Sequence, residues 1–158
     1  NVYGNGQSRY GKLAAVIGIF EGQYLQNKPL TVVSPGTQLR DFTHVDDIVN
    51  GIILVLDRPA KPKQLSNESD HSAGSSNAPW RIYNIGNNSP VELSKYIEAI
   101  ENALGMKARK ELLPLQPGDV PNTFADVNDL IQDFSYKPST SVESGVINFV
   151  KWYLDFYD

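Results

Sequence analysis

Apolar residues recur along this chain in separate blocks at helical spacing, with polar turn signals between them. Leu13, Val16, Ile17, Phe20 and Tyr24 fall on one face of a predicted helix. Asn27-Lys28-Pro29 ends it, because proline disfavours helical geometry in the residue before it. Leu30 to Val33 reads as a short strand, Ser34-Pro35-Gly36 as a turn, and Leu39 to His44 as a second extended piece. Val45, Ile48, Val49, Ile52, Ile53 and Leu56 define the buried stripe of the next predicted helix. Thr43 is placed to cap it, Asp46 suits its positive end, and Arg58-Pro59 stops it.

Arg81-Ile82-Tyr83-Asn84-Ile85 predicts a strand. It lacks clean alternation, as strands covered on both faces do, yet the chain offers few other strands to build such a sheet. Ser89-Pro90-Val91-Glu92 reads as a capping box with proline at the first helical position. Leu93, Tyr96, Ile97, Ile100 and Leu104 form that helix's buried face, and Gly105 ends it. Ala108 to Leu113 predicts a strand. Asp126 then caps a short helix over Val127 to Asp133. Thr140 and Glu143 form a last capping box before the stripe Val142, Val146, Phe149, Val150, Tyr153 and Tyr157. The stretch 59–79 is rich in Ser, Asn, Pro and Lys, with too little apolar surface to offset its ordering entropy, and predicts a long mobile surface loop. Helices alternating with short strands, without a repeat, fit an α/β or α+β domain, with α/β preferred, in a single domain over 1–158.

Composition narrows the function more than the fold. The 158 residues are 41% hydrophobic, enough for a core, and carry a net charge of −4. No apolar run approaches a membrane span, and no basic run supports nucleic-acid binding through a broad positive surface. A small anionic ligand is still compatible, since one or two placed cations suffice. Cysteine is absent, which excludes disulfides, thiolate chemistry and cysteine-based metal sites. His44 and His71 lack partners that would suggest a metal site. No signal-peptide pattern opens the chain, and a cytoplasmic location is the simplest expectation. The chain begins at Asn1 rather than Met, in what reads as a strand end, so a fragment or a processed product is expected.

Two stretches could carry chemistry. Gln38-Leu39-Arg40-Asp41-Phe42-Thr43-His44-Val45-Asp46-Asp47 sets one arginine on an extended segment just before a helix. Arg40 can donate two hydrogen bonds to a phosphate or carboxylate, although local physics alone favours a surface ion pair with Asp41 or Asp46. Gln116-Pro117-Gly118-Asp119 makes a tight turn that could aim Asp119 and Gln116 at a ligand, or simply expose a solvated carboxylate. Other matches carry less. Tyr24 and Lys28 spell Tyr-x-x-x-Lys, but Tyr24 continues an apolar helix stripe and reads as core. Gly4-Asn5-Gly6 lacks the third glycine of a dinucleotide loop. Gly86-Asn87-Asn88 before a helix could hold an anion, and reads as a structural turn. The glycosylation patterns at Asn67 and Asn87 matter only in a secreted protein.

Val2-Tyr3-Gly4, Arg40-Asp41-Phe42-Thr43 with Asp46-Asp47, Tyr83-Asn84-Ile85-Gly86, Pro90-Val91-Glu92-Leu93 and Gln116-Pro117-Gly118-Asp119 occur in this order. The ordered set resembles extended short-chain dehydrogenases that act on nucleotide sugars, most closely the UDP-glucuronate 4-epimerases and related UDP-hexose 4-epimerases. The resemblance implies a parent enzyme with a Rossmann-type fold. That enzyme oxidises the sugar at C4 with bound NAD, rotates the keto sugar and reduces it again. The cofactor loop and the Tyr-x-x-x-Lys base would lie upstream, in an N-terminal NAD-binding half that this chain lacks. The chain itself would then be the C-terminal, UDP-sugar-binding portion, without catalytic residues and inactive alone. A homodimeric parent would owe its dimer helices to the other half. Carried over, Arg40 would hold the diphosphate, Asp119 the ribose hydroxyls or the arginine, and Thr31 and Val33 the uracil. Asn1 would touch sugar or phosphate, and Lys12 the phosphate. Gln116 stands where many hexose epimerases carry a second arginine, which favours the glucuronate type. Val33 stands where an aromatic residue often packs on uracil. A 4,6-dehydratase or decarboxylase of the same architecture, a stand-alone nucleotide-sugar-binding module and a plain interaction domain are the alternatives.

Overall fold

Three aromatic side chains set the centre of the molecule. Phe42 and Tyr96 stack with centroids 3.8 Å apart, and Tyr3 meets the Tyr96 ring edge-on at 5.5 Å. All three are buried, and they come from the start, the first third and the second half of the chain. In this computed structural model, residues 1–8, 23, 26, 28–62, 74–115 and 117–157 are described. The helix expected over 13–24, most of the 59–79 loop and the Tyr24–Lys28 pattern fall outside them.

The described residues form a mixed α/β arrangement of helices and short paired strands, as expected. β1 (Val2–Tyr3) runs parallel to β4 (Thr43–His44). β2 (Leu30–Val33) runs parallel to β6 (Lys110–Leu113), with Val33 opposite Leu113. β3 (Leu39–Arg40) runs antiparallel to β5 (Val91–Glu92). A 3-10 turn at Ser34–Gly36 joins β2 to β3. The main core lies between α2 (Leu93–Leu104), α4 (Val142–Tyr157) and these strands. The predicted stripes are found there: Tyr96, Ile97 and Ile100 from α2 are buried against Val146, Phe149, Val150 and Tyr153 from α4. Gly105 adopts the left-handed conformation that ends α2, with φ 67°. A smaller cluster joins Leu130 and Phe134 of α3 (Asn128–Phe134) to Tyr136, Leu54, Val55 and Ile85.

Several local expectations are corrected. α1 (Val45–Asp57) is capped by His44, whose Nδ1 accepts from the Asp46 N–H at 3.3 Å, while Thr43 turns its hydroxyl to the Asn87 N–H at 3.0 Å. Ser89-Pro90-Val91-Glu92 opens no helix. Val91 and Glu92 extend against β3, and α2 starts at Leu93, whose N–H reaches the Gln38 carbonyl at 3.0 Å. α4 is capped by Ser141, whose Oγ accepts from the Ser144 N–H, because the Thr140 N–H is already held by Asp47 at 3.1 Å. α3 starts at Asn128 with Val127 as its N-cap and no side-chain capping bond; Asp126, expected as the cap, lies one residue earlier and accepts from the Asn128 N–H at 3.0 Å. Residues 81–85 form no ladder. Arg81 makes an isolated bridge to Ser75, and no described strand lies alongside the rest.

The largest departure concerns α1. Most of its predicted buried stripe faces outward: Val45 and Ile48 are half-buried, but Val49 is exposed, Ile52 and Ile53 are each 50% exposed and Leu56 is 75% exposed. The inward side carries Asp47 and Gly51. Gly51 permits a close approach, since a Cβ there would lie 2.9 Å from Ile85 Cγ2. Asp47 accepts from the Ser139 and Thr140 N–H groups at 2.9 and 3.1 Å, tying α1 to the segment before α4. Polar groups thus decide which side of α1 turns inward, and its apolar side is left over.

Glu101 locks α2 to β6. It is buried and receives Lys107 at 2.8 Å, Lys110 at 2.9 Å and the Ala108 N–H at 3.1 Å. Burial pushes its carboxyl up, but these hydrogen bonds together outweigh burial and hold it below the usual carboxylate range. A depressed folded value means stability fully present above the unfolded value of about 4.3 and lost as pH falls through the lower folded value. Urea midpoints measured from neutral pH down to acid should therefore show a smaller acid loss in Glu101→Gln than in the parent chain.

Candidate functional site

Arg40 sits where three separate segments meet. β3 is held on one side by β5 and on the other by residues 121–123. The Leu39 N–H donates to the Pro121 carbonyl at 3.1 Å, and the Leu39 carbonyl accepts from the Thr123 N–H at 3.0 Å. The half-buried Arg40 side chain uses Nη1 to donate to the Leu39 and Pro121 carbonyls, both at 2.9 Å. No ion pair to Arg40 occurs among the described residues. The surface pair with Asp41 or Asp46 that local physics favours is therefore not found. Asp46 lies 3.4 Å from His44 Nδ1 instead, and the Asp41 carboxylate is turned to backbone N–H groups. Three of the five guanidinium N–H groups thus have no hydrogen-bond partner among the described residues.

The loop carrying Asp119 comes to this arginine through the parallel pairing of β2 and β6. Parallel strands end on the same side, so the chain leaving Leu113 starts beside Val33 and the 3-10 turn that leads to β3. It turns at Gly118, with φ 90°, passes the exposed Asp119 and reaches Pro121, where Arg40 grips it. Arg40 and the loop of Asp119 are brought together, without an ion pair between the two side chains. Thr31 is exposed on β2 and Val33 half-buried at its end. Asn1 is adjacent as well: its main-chain nitrogen donates to the Asp41 carbonyl at 3.0 Å and its carbonyl accepts from the Thr43 N–H at 2.9 Å. Lys12 and Gln116 fall outside the described residues.

What sequence reasoning missed is the work of Asp41. Its buried carboxylate accepts from the Asn88 N–H at 3.1 Å and the Ala125 N–H at 3.2 Å through Oδ2, and from the Ser89 N–H at 3.4 Å through Oδ1. The turn 86–89, which could have cradled an anion, already holds one that belongs to the protein. Gly86 is required there, since a Cβ would lie 2.5 Å from Ala125 Cβ. Tyr136 donates to the Gly86 carbonyl at 3.1 Å, and burial first, then the charges of Asp47 and Asp41, push its hydroxyl up to about 12. A cleft of about 170 Å³ opens beside these groups, lined by Asn1, Asp41, Gly86, Thr123, Phe124 and Ala125 among others. The signal was present in the sequence as an Arg-Asp pair, but a carboxylate next to an arginine suggests an ion pair first. Among the described residues, no group of three or more His, Asp or Glu side chains is placed to hold a metal ion, and no helix is long and apolar enough to cross a membrane.

Comparison with known proteins agrees with this architecture. The chain belongs to the NAD dependent epimerase/dehydratase family, whose model matches residues 1–86. It is 48% identical over 138 residues to Protein CapI of Staphylococcus aureus, covering 87% of this chain and 41% of that protein. It is 39% identical over 127 residues to a probable UDP-glucuronate 4-epimerase of Rhizobium meliloti (strain 1021), covering 80% of this chain and 37% of the relative. The fold superposes on the UDP-glucuronic acid 4-epimerase of Bacillus cereus, solved in complex with UDP-glucuronic acid and NAD. The TM-score is 0.76, with 26% identity over 99% of this chain and 44% of that one. The chain thus spans about two-fifths of the length of the curated relatives it matches.

Replacing Asp41 by asparagine keeps its shape but turns an amide toward backbone donors and removes the charge. We expect Asp41→Asn to lower the unfolding free energy by about 2–4 kcal/mol, read from urea midpoints at neutral pH. A change within a few tenths of a kcal/mol would deny Asp41 this role.

Proposed function

We propose that this chain is the UDP-sugar-binding portion of an NAD-dependent nucleotide-sugar 4-epimerase, with a UDP-glucuronate type of substrate. The observation that carries the reading is the state of Arg40. Its guanidinium is fixed by two carbonyls, left without a carboxylate partner, and set where the ends of β2 and β6, the loop of Asp119 and Asn1 meet. A planar cation held in this way is prepared for a diphosphate, which would take the remaining N–H groups in a bidentate pair. In this reading Asp119 takes the ribose hydroxyls, Thr31 and Val33 flank the uracil, and Asn1 touches the sugar or a phosphate. Gln116 and Lys12 are secondary contacts.

The chain's own part in the reaction is to bind and orient. It holds the nucleotide by its phosphates, so that the sugar can present either face to a cofactor held elsewhere. NAD supplies the hydride acceptor and donor in the parent enzyme, and residues of an N-terminal half hold it. The 158 residues act as one domain, in a cytoplasmic and homodimeric parent. Several relatives support the sugar assignment through their names as UDP-glucuronate 4-epimerases.

Calorimetric titration with UDP and with UDP-glucuronate tests the reading. The chain should bind both weakly, and Arg40→Ala should weaken binding by about 1.5–3 kcal/mol, roughly a tenfold to hundredfold rise in Kd. UDP-glucuronate incubated with the chain and NAD should remain unconverted. An unchanged affinity in Arg40→Ala, or turnover by the chain alone, would overturn the reading.

A further inference from the structure

The sequence holds two Asn-Gly pairs, Asn5-Gly6 and Asn50-Gly51. An asparagine before glycine is open to attack on its side-chain amide by the next main-chain nitrogen, because glycine has no side chain to hinder the approach. Three local conditions decide whether the attack occurs. The asparagine must reach water. The next N–H must be free of a hydrogen bond. The backbone must be able to swing that nitrogen onto the side-chain carbonyl carbon.

The two pairs share only the first condition. Asn5 and Gly6 are both exposed, in a turn closed by the Gln7 N–H on the Gly4 carbonyl at 3.3 Å. The Gly6 N–H has no hydrogen-bond partner among the described residues. Gly6 has φ 84°, and a Cβ there would meet nothing within 4 Å, so the peptide has room to turn. Asn50 is exposed too, but it lies inside α1. A helix commits the Gly51 N–H to the carbonyl four residues back and holds the backbone dihedrals, and Gly51 is packed closely against Ile85. Asn77, Asn87, Asn88 and Asn122 are guarded differently, by hydrogen bonds on the N–H that follows each. Ala78 donates to Ser76 Oγ at 3.0 Å, Asn88 and Ser89 donate to the Asp41 carboxylate, and Thr123 donates to the Leu39 carbonyl at 3.0 Å.

We propose that Asn5-Gly6 is a self-modification site, at which the folded chain deamidates to aspartate and isoaspartate while Asn50-Gly51 is spared by its helix. The Gly6 nitrogen forms a bond to Asn5 Cγ, the Cγ–Nδ2 bond breaks, and Nδ2 leaves as ammonia with the proton given up by the Gly6 amide. Water then opens the succinimide. Addition at Cγ restores the normal main chain and leaves aspartate. Addition at the main-chain carbonyl routes the chain through Cγ and leaves isoaspartate. Either product places a carboxylate at a cleft of about 320 Å³ that the turn shares with Val45, the first residue of α1. The isoaspartyl form also lengthens the main chain between Gly4 and Gln7, whose hydrogen bond closes the turn. No residue assigned to the nucleotide takes part, so the site is independent of that reading.

The test is incubation of the full chain at mildly alkaline pH, which favours the deprotonated amide nitrogen, followed by proteolysis and peptide mass spectrometry. Electron-transfer fragmentation separates aspartate from isoaspartate. In the folded chain Asn5 should convert at least about tenfold faster than Asn50, since Asn50 must wait for α1 to open. In the chain unfolded in guanidinium chloride the two should convert at similar rates. Asn5→Gln should remove conversion at position 5, because the longer side chain closes its ring far more slowly, and leave position 50 as it was. An Asn5 that stays intact in the folded chain, conversion of Asn50 at a comparable rate there, or the same preference for Asn5 in the folded and unfolded states would each overturn the proposal.

Discussion

The buried carboxylate of Asp41 is the constraint on which the site depends. Three backbone N–H groups from two distant segments converge on it, and a charge held in a low-dielectric interior is tolerable only with such a set of donors. Because the donors are main-chain groups, the carboxylate fixes the path of the chain and not merely a rotamer. It pins the turn 86–89 on one side and Ala125 on the other. It therefore also sets where β3 runs between β5 and residues 121–123. Arg40 follows directly from this: its neighbour is committed to the backbone, so the arginine is kept from the ion pair nearest to it in sequence.

The same economy of polar anchors shapes the rest of the fold. Asp47 fastens α1 to the segment before α4, and Glu101 fastens α2 to β6, each from a buried position. These anchors explain how short strands, several of only two residues, hold a definite register. They also explain the orientation of α1. Asp47 must face its donors at Ser139 and Thr140, and Gly51 must face Ile85, so Val49, Ile52, Ile53 and Leu56 are turned to the outside while Leu54 and Val55 pack inward.

The sequence was most legible where one physical rule acts alone. The helical stripes of α2 and α4 and the left-handed Gly105 follow from periodicity and end chemistry. The α/β class follows from their alternation. Reading failed where a tertiary partner outbid a local one. Thr43 matches a cap pattern, but the Asn87 N–H takes its hydroxyl and His44 caps instead. Ser89 to Glu92 match a capping box, but Asp41 and β3 draw that stretch out straight. Segment 81–85 has the composition of a strand and no described neighbour to pair with. Arg40 stands out in the sequence by type and place, and in the structure it makes none of the ion pairs that local physics favours. Its freedom from Asp41 could not be read locally, because it depends on Asn88, Ser89 and Ala125.

The central claim is that Arg40 is held ready for a nucleotide diphosphate beside the strand ends and the loop of Asp119. The most direct measurement is nuclear magnetic resonance of the isotopically labelled chain as UDP is added, following the arginine side-chain Nε–H signals and the backbone amides. The Arg40 signal is expected to move together with the amides of 31–33 and 117–121, while those of α4 stay in place. A response that spares Arg40, or one centred on α4, would contradict it.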